Sequence, residues 1–237
     1  MPHPDNIRSL FDTIAGDYDF LNHLLSLGID RRWRRRALRE ILTPDQPQRM
    51  LDLACGTGDF SIAIARKMAE GSSLKGLDFS EGMLAVMRQK LARKGLESRV
   101  QTLCGDACAT GLPDASFDRI TIAFGIRNFP DREAGLREAL RLLRPGGKIV
   151  ILELSVPENP VIGSLYKLYF KHILPMIGGA ISGDWKAYRY LPASVLAFPG
   201  RTQWMETMRR CGYADVKHRA LSLGICRMYV GTKPLEP

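Results

Sequence analysis

Short apolar runs alternate with helical patterns through the middle of the chain. Apolar and β-branched residues predict five strands, at 49–54, 73–78, 99–104, 117–125 and 148–154. Between these runs, apolar residues recur at helical spacing and predict helices at 59–70, 81–94 and 131–143. Strands that alternate with helices are typical of an α/β fold, in which helices cover both faces of a parallel sheet.

Two further strands near the end of the chain are expected to break the parallel pattern. They are predicted at 214–220 and 225–233, and a short Leu-Ser-Leu-Gly connection joins them. A short connection suits antiparallel neighbours, whereas parallel neighbours need a long crossover. We therefore predict a seven-stranded, mostly parallel sheet with one antiparallel strand, which makes one edge of the sheet antiparallel.

The remaining segments flank this core. Helices are predicted around 4–15 and 24–42, so residues 1–48 form an N-terminal helical segment. Residues 157–200 interrupt the alternation and are predicted to be an inserted helical lid that contributes to the substrate site. A chain of 237 residues is rather short for two full domains, so we predict a single domain over 1–237.

The first predicted strand ends in a glycine turn, Gly56-Thr57-Gly58. In an open α/β sheet, ligands bind at the carboxyl ends of the strands, and a turn of this kind usually receives a nucleotide. A dinucleotide places its phosphates at the start of the following helix. Asp59 stands at that point and is expected to repel phosphate. The turn therefore favours S-adenosylmethionine, a cationic nucleoside without phosphate, over a nicotinamide cofactor.

Three aspartates lie at or just after the ends of the first three predicted strands. Asp52 is expected to accept a hydrogen bond from the ammonium of the cofactor, Asp78 from the ribose hydroxyls, and Asp106 from the adenine amino group. Gly56 and Gly58 let the backbone approach the ligand closely, because they have no side chain. Each aspartate taken alone also fits a helix cap or a turn.

The chain contains more basic than acidic residues. The formal net charge is +9, and the stretch DRRWRRRALRE at 30–40 holds six arginines around Trp33. This stretch fits a solvated helix face, a contact with nucleic acid phosphates, or a contact with anionic lipid headgroups. No signal peptide or membrane-spanning run is visible, and the five cysteines are scattered, so we expect a cytoplasmic protein with reduced thiols and no metal site.

Several longer stretches of the chain resemble the ubiquinone/menaquinone biosynthesis C-methyltransferases. This family is a branch of the class I S-adenosylmethionine-dependent methyltransferases, which have a Rossmann-like fold. The resemblance covers nearly the whole chain and rests on the stretches at 11–34, 51–59, 124–131, 141–157 and 188–200. The glycine motif is shared by many methyltransferases, whereas the first, third and last stretches are more specific.

The resemblance implies a set of cofactor contacts. Thr57, Asp78, Asp106 and Ala107 stand at the family's binding positions. Some members have a serine where this chain has Ala123, so any contact there would have to come from the backbone. The implied substrate is a polyprenyl quinol, with 2-demethylmenaquinol preferred. The runner-up is the methoxy-polyprenyl-benzoquinol step of ubiquinone synthesis, or both activities in one enzyme.

Methylation of a ring carbon sets its own demands. The carbon must be electron-rich, so the acceptor is the hydroquinone, and the site needs a proton acceptor and a group that stabilises the phenolate. Arg127 is the leading candidate for stabilising the phenolate or orienting a water, and a structural bridge to Asp131 or Glu153 is its alternative. Asn128 is expected to hold a ring oxygen.

Three residues near the N-terminus are further candidates. Tyr18 and Asp19 are expected to close over the cofactor, with helix capping and packing as their alternative. His23 is a candidate proton acceptor, because an imidazole titrates near neutral pH, although a lone histidine is more often structural.

The stretch 161–183 is a candidate for binding the prenyl tail. Val161, Leu165, Leu168 and Ile173 fall on one helical stripe, and Ser164, Lys167 and Lys171 fall on another. This pattern predicts an amphipathic lid, with an ordinary core helix as the alternative. Together with the arginines, it suggests peripheral contact with the inner face of the cytoplasmic membrane.

Two other classes of function remain open at this point. The stretch Ala-Phe-Gly-Ile-Arg-Asn-Phe-Pro-Asp at 123–131 replaces the Asn/Asp-Pro-Pro-Tyr motif of amino-methylating enzymes, so no nucleic acid partner is expected. A methyltransferase for RNA or another small molecule is the lower-ranked alternative. A non-catalytic scaffold is disfavoured by the intact set of three aspartates. A homodimer is possible on this sequence.

Overall fold

The computed structural model describes Ser26, residues 28–169 and residues 192–235 of the chain. Seven strands form one sheet in the order β3-β2-β1-β4-β5-β7-β6. The strands are β1 Arg49–Leu53, β2 Ser73–Asp78, β3 Val100–Cys104, β4 Phe117–Ala123, β5 Leu143–Leu154, β6 Ala214–Leu221 and β7 Cys226–Thr232. The helices are α1 Asp30–Ile41, α2 Asp59–Ala65, α3 Glu81–Ala92, α4 Arg132–Leu142, α5 Pro160–Leu168 and α6 Arg201–Arg210. Two short 3₁₀ turns lie at Ile126–Asn128 and Ser222–Gly224, and a helical turn lies at 192–196.

The predicted α/β fold is confirmed. β1 to β5 pair in parallel with one another, and β7 runs antiparallel to its two neighbours, β5 and β6. The antiparallel strand therefore lies next to the edge strand, as the short connection between β6 and β7 requires. One apolar cluster packs beneath α4 and α6, and a second beneath α1, α2 and α3, so both faces of the sheet are covered.

The ends of several elements differ from the sequence prediction. β1 stops at Leu53 and β4 stops at Ala123, because Ala54 and Phe124 adopt left-handed backbone angles with φ of 53° and 61°. β5 begins earlier than predicted, at Leu143, because its Pro-Gly-Gly stretch forms an irregularity within the strand and not a separate turn. Both strands end at the carboxyl edge of the sheet, where the glycine turn follows β1.

Close packing behind the glycine turn explains its small residues. A Cβ atom at Gly58 would lie 2.4 Å from Cγ of Met87, and the residue has φ of 82°. Likewise, a Cβ atom at Gly125 would lie 2.6 Å from the Cβ of Ala54. These two positions bring the turn after β1 close to both α3 and the segment after β4.

Each of the two segments that flank the α/β core, at 1–48 and 157–200, contributes a helix to the described structure: α1 from the first and α5 from the second. α1 packs its buried face against the sheet through Trp33, whose indole Nε1 donates to Ser222 Oγ at 2.9 Å. α5 begins at Pro160, where the side chain of Asn159 caps the helix. Its Val161, Leu165 and Leu168 are exposed by 67%, 61% and 54%, so this apolar stripe does not pack on the sheet as a core helix would.

The predicted helix at 4–15 and the stretch 170–191 lie outside the described residues. In the part that the structure covers, none of the helices has the length and apolar character needed to cross a bilayer.

Substitution of the two turn glycines tests the packing behind the turn. We expect Gly58→Ala to destabilise the protein by about 2–4 kcal/mol, because it combines a strained φ with a clash against Met87. Gly56→Ala is the matched control, since nothing lies within 4 Å of its added Cβ, and it should cost only about 1 kcal/mol for the backbone angle. Urea unfolding measures both, and equal losses would contradict the packing argument.

Candidate functional site

The candidate site is the carboxyl edge of β1, β2 and β3. There the loop at 54–58, which contains the glycine turn, meets the ends of the neighbouring strands. Gly56 lies at the open side of this turn, because an added Cβ there would meet no atom within 4 Å. Thr57 and Gly58 are buried beside it. The turn therefore has a tight inner side and an open outer side that a ligand can occupy.

Asp78, at the end of β2, holds the turn in place. One carboxylate oxygen accepts from the backbone N–H of Gly56 at 2.8 Å, and the other accepts from the N–H of Ser80 at 3.0 Å. The side chain is nearly buried. The structure thus brings Asp78 to the open side of the turn, where the sequence predicts a ribose acceptor.

Asp52 lies beneath the turn. Its two carboxylate oxygens accept from the hydroxyls of Ser61, at 2.5 Å, and Thr121, at 2.6 Å. Burial raises its pKa from 3.8 to about 6, against the opposite influence of these two hydrogen bonds. The side chain is only 1% exposed, so these contacts favour an indirect electrostatic role more than the direct ammonium contact expected from the sequence.

Asp106 and Ala107 follow β3 in a small turn. Asp106 is exposed, and one of its oxygens accepts from the backbone N–H of Cys108 at 2.8 Å, while Ala107 is buried. Glu138 on α4 fixes the next part of this segment, because its carboxylate accepts from both the N–H and the hydroxyl of Thr110 at 2.9 and 2.6 Å. Asp106 and Ala107, the two predicted adenine contacts, therefore lie in a segment that these hydrogen bonds hold in place.

Asp59, the first residue of α2, is not the isolated negative charge that the sequence suggested. Lys90 on α3 forms an ion pair with it, and Nη1 of Arg34 on α1 lies 3.7 Å from its other oxygen. Lys90 also donates to Thr57 Oγ1 at 3.4 Å. The two cations offset the charge of Asp59, so repulsion of phosphate at this point is weaker than predicted.

The negative character of the site comes from the other two acids. Asp78 raises the pKa of Asp52, and both acids add to the burial effect that holds the pKa of the Cys55 thiol well above its usual value. A cation near the turn is therefore favoured and an anion is disfavoured. The electrostatic preference predicted from the sequence is retained, but Asp52 and Asp78 carry it.

The segment after β4 lies beside the turn. Ala123 is half-buried at the end of the strand, and the N–H of Phe124 donates to Leu152 O at 2.8 Å. The Phe124 ring lies tilted against that of Trp33, with centroids 6.0 Å apart. Ala123 thus stands at the edge of the site, where the predicted contact is a backbone one.

Arg127 forms the structural bridge to Glu153 that the sequence left open. Its Nη1 donates to Glu153 Oε1 at 2.8 Å, its backbone N–H donates to Oε2 at 3.1 Å, and its Nε donates to Ser194 Oγ at 3.3 Å. The guanidinium also donates to Phe124 O, and the residue is only 6% exposed. Arg127 therefore joins three segments: the one after β4, β5 and the helical turn at 192–196.

The remaining candidates divide into two groups. Asn128 is half-buried at the end of the 3₁₀ turn, next to Arg127. Tyr18, Asp19 and His23 lie outside the described residues. Sequence reasoning missed Arg34 and Lys90 as neighbours of the turn, because helix periodicity gave no signal for their pairing with Asp59.

Solved structures share the architecture. The chain matches the crystal structure of the [4+2]-cyclase SpnF with a TM-score of 0.73 and 18% identity, over 99% of this chain and 98% of that one. It also matches a Haemonchus contortus phosphoethanolamine N-methyltransferase in complex with S-adenosyl-L-methionine, with a TM-score of 0.67 and 17% identity, over 94% of this chain and 57% of that one. At these identities, the likeness shows the fold.

Sequence relatives are much closer. A ubiquinone/menaquinone biosynthesis C-methyltransferase of Geobacter sulfurreducens is 45% identical over 232 residues, covering 98% of this chain and 90% of the relative. Demethylmenaquinone methyltransferases of Deinococcus radiodurans and Thermus thermophilus are 46% and 45% identical, covering 96% and 95% of this chain and 92% and 100% of the relatives. The model of the ubiE/COQ5 methyltransferase family matches residues 3–233. With its fold, its glycine turn and this match along almost its whole length, the chain belongs to the ubiE/COQ5 methyltransferase family.

Proposed function

We propose that this protein transfers a methyl group from S-adenosylmethionine to a ring carbon of a polyprenyl hydroquinone, with 2-demethylmenaquinol as the preferred acceptor. The observation that carries the proposal is the open turn at Gly56, with Asp78 beside it, Asp52 beneath it and Asp106 after the next strand along the sheet, in a chain of this family. Relatives named for demethylmenaquinone and for ubiquinone/menaquinone synthesis support the choice of substrate class.

The residues of the turn fit the cofactor. S-adenosylmethionine supplies an electrophilic methyl group on a positively charged sulfur. Asp78 offers carboxylate oxygens to the ribose, and Asp106 with Ala107 borders the adenine. The buried carboxylate of Asp52, beneath the turn, stabilises the positive charge of the cofactor. The hydroxyls of Ser61 and Thr121 keep this carboxylate oriented. Thr57 and the backbone at Gly56, Gly58 and Ala123 complete the proposed contacts.

On the acceptor side, the proposed role of the protein is to hold the quinol in line and to favour its phenolate. The amide of Asn128 is proposed to hold a ring oxygen. Arg127 fixes the segment that carries Asn128, and its charge favours a phenolate nearby, although the pairing with Glu153 reduces that effect. Tyr18 and His23 stay predictions from the sequence, as a lid residue and a proton acceptor.

Methyl transfer to two quinols tests the proposed function. We expect purified protein with methyl-labelled S-adenosylmethionine to label 2-demethylmenaquinol, because the ring carbon of the reduced naphthoquinone is a strong nucleophile. The methoxy-polyprenyl-benzoquinol is the second acceptor, and the oxidised quinones are the controls, which should stay unlabelled. Labelling of the benzoquinol alone would overturn the preferred substrate. Labelling of added RNA, with neither quinol labelled, would overturn the proposed function.

A charge-neutral double substitution tests the role of Arg127. Arg127→Gln alone leaves Glu153 buried without its cation, at a cost of about 3–5 kcal/mol. We therefore expect the double variant Arg127→Gln/Glu153→Gln to fold and to bind S-adenosylhomocysteine normally, with turnover about 100-fold lower and a pH optimum moved upward, because the phenolate loses a nearby cation.

The control for this experiment is Ser194→Ala, which removes only the partner of the Arg127 Nε. Its effect on turnover should be much smaller than that of the double variant. Wild-type turnover in the folded double variant, measured by the same labelling assay, would show that Arg127 serves the fold alone.

We further propose that the protein binds the surface of the membrane that contains its lipid substrate. The exposed side chains of Arg31, Arg32 and Arg35 in the first half of α1 offer positive charge to anionic headgroups. Val161, Leu165 and Leu168 on α5 offer an exposed apolar stripe to the acyl chains. The two helices are linked: Trp33 contacts Ser222, and Ile225, which follows that turn, packs against the small apolar cluster that contains Tyr166 of α5.

Vesicle cosedimentation tests the membrane proposal. We expect binding to phosphatidylcholine vesicles that contain phosphatidylglycerol, and weaker binding to phosphatidylcholine alone. Arg31→Glu/Arg35→Glu should weaken binding to the anionic vesicles by about 2 kcal/mol or more, because each arginine near the surface contributes about 1 kcal/mol. Leu165→Asp should weaken binding to both vesicle types. Arg93→Glu/Lys94→Glu, at the far end of α3, is the matched control, and an equal loss in that variant would contradict a defined binding face.

A further inference from the structure

One charged group of the cofactor has no assigned partner among the predicted contacts. S-adenosylmethionine ends in an amino acid, which carries a carboxylate as well as an ammonium. Asp52, Asp78 and Asp106 are all acceptors, so none of them can bind a carboxylate. A cation or a set of N–H donors close to the turn is needed for that group.

Arg34 on α1 stands at the right place. Its Nη1 pairs with Asp30 and lies 3.7 Å from an oxygen of Asp59, the first residue of α2. Its Cζ lies 5.6 Å from the centre of the Phe124 ring, just after β4. The guanidinium therefore lies between the start of α2, which directly follows the glycine turn, and the segment that follows β4.

The bonding of Arg34 is incomplete. Within the described residues, its ion pairs with Asp30 and Asp59 both use Nη1, and its buried Nε donates to no acceptor there. A buried donor without an acceptor is unfavourable. The Nε and Nη2 edge of a guanidinium has the fork geometry that binds a carboxylate through two parallel hydrogen bonds.

The surrounding charges permit a carboxylate here. Arg34 and Lys90 face Asp30 and Asp59, so the group is balanced before any ligand binds. An amino acid tail brings one ammonium and one carboxylate, and therefore adds no net charge. The ammonium is favoured by the nearby Asp52 and Asp78, and the carboxylate by the guanidinium.

We propose that the Nε edge of Arg34 binds the α-carboxylate of S-adenosylmethionine and of its product S-adenosylhomocysteine. This inference rests on the cofactor assigned above and is independent of the methyl acceptor. It makes α1 part of the cofactor site. The other arginines of α1 described above face solvent, so this role belongs to Arg34 and not to the basic stretch as a whole.

A ligand comparison tests the proposal without a quinol. Isothermal titration calorimetry measures binding of S-adenosylhomocysteine and of its decarboxylated analogue, which keeps the amine but lacks the carboxylate. For the wild-type protein we expect the analogue to bind about 10- to 100-fold more weakly, the loss of a charge-assisted pair of hydrogen bonds. Arg34→Gln should weaken S-adenosylhomocysteine binding by a similar factor and leave binding of the analogue within about twofold.

Two variants keep this test decisive. Arg34→Lys retains the charge without the fork, so the difference between the two ligands should shrink but remain, even if Arg34→Gln folds poorly. Arg93→Gln removes one exposed positive charge far from the site and should change neither affinity. Equal weakening of both ligands by Arg34→Gln, or no weakening of either, would overturn the proposal, while the quinol assay would still decide the proposed function separately.

Discussion

The hydrogen bond from the Gly56 N–H to the Asp78 carboxylate is the contact on which the rest of the site depends. It joins the turn after β1 to the end of β2, and the backbone bond from Cys55 N–H to Leu77 O, at 3.1 Å, reinforces it. With the turn fixed in this way, the open side of Gly56 faces outward. Because Asp78 is also the proposed ribose acceptor, one carboxylate both shapes the turn and serves the ligand.

In the structure, the negative charge of the site comes from residues other than the one that the sequence suggests. The sequence points to Asp59 as the source of the negative charge, but the structure pairs this residue with Lys90 and places Arg34 nearby. The preference for a positive ligand instead comes from the buried Asp52 and Asp78, and burial together with the charge of Asp78 raises the pKa of Asp52. The site therefore favours the same kind of ligand as the sequence indicates, although the charge of Asp59 is largely offset.

The order of strands and helices was predictable because apolar periodicity reports directly on which face of an element is buried. The ends of β1 and β4 were not predictable. They depend on left-handed backbone angles at Ala54 and Phe124, and alanine and phenylalanine rarely adopt such angles, so the residue types gave no signal. Contacts between distant helices, such as Arg34 with Asp59, also have no local signal. The bridge from Arg127 to Glu153 was named only as an alternative, because a sequence does not show which of two acids an arginine will reach.

Met87 carries a consequence for how the site could change over evolution. Its thioether fills the space behind Gly58 and approaches the Cys55 sulfur at 3.6 Å, so a flexible, unbranched side chain forms the back wall of the turn. A bulkier or stiffer residue there would push the turn outward, and a smaller one would let it relax inward. The shape of the proposed cofactor site can thus be adjusted from the inner side of the turn, opposite the open side of Gly56.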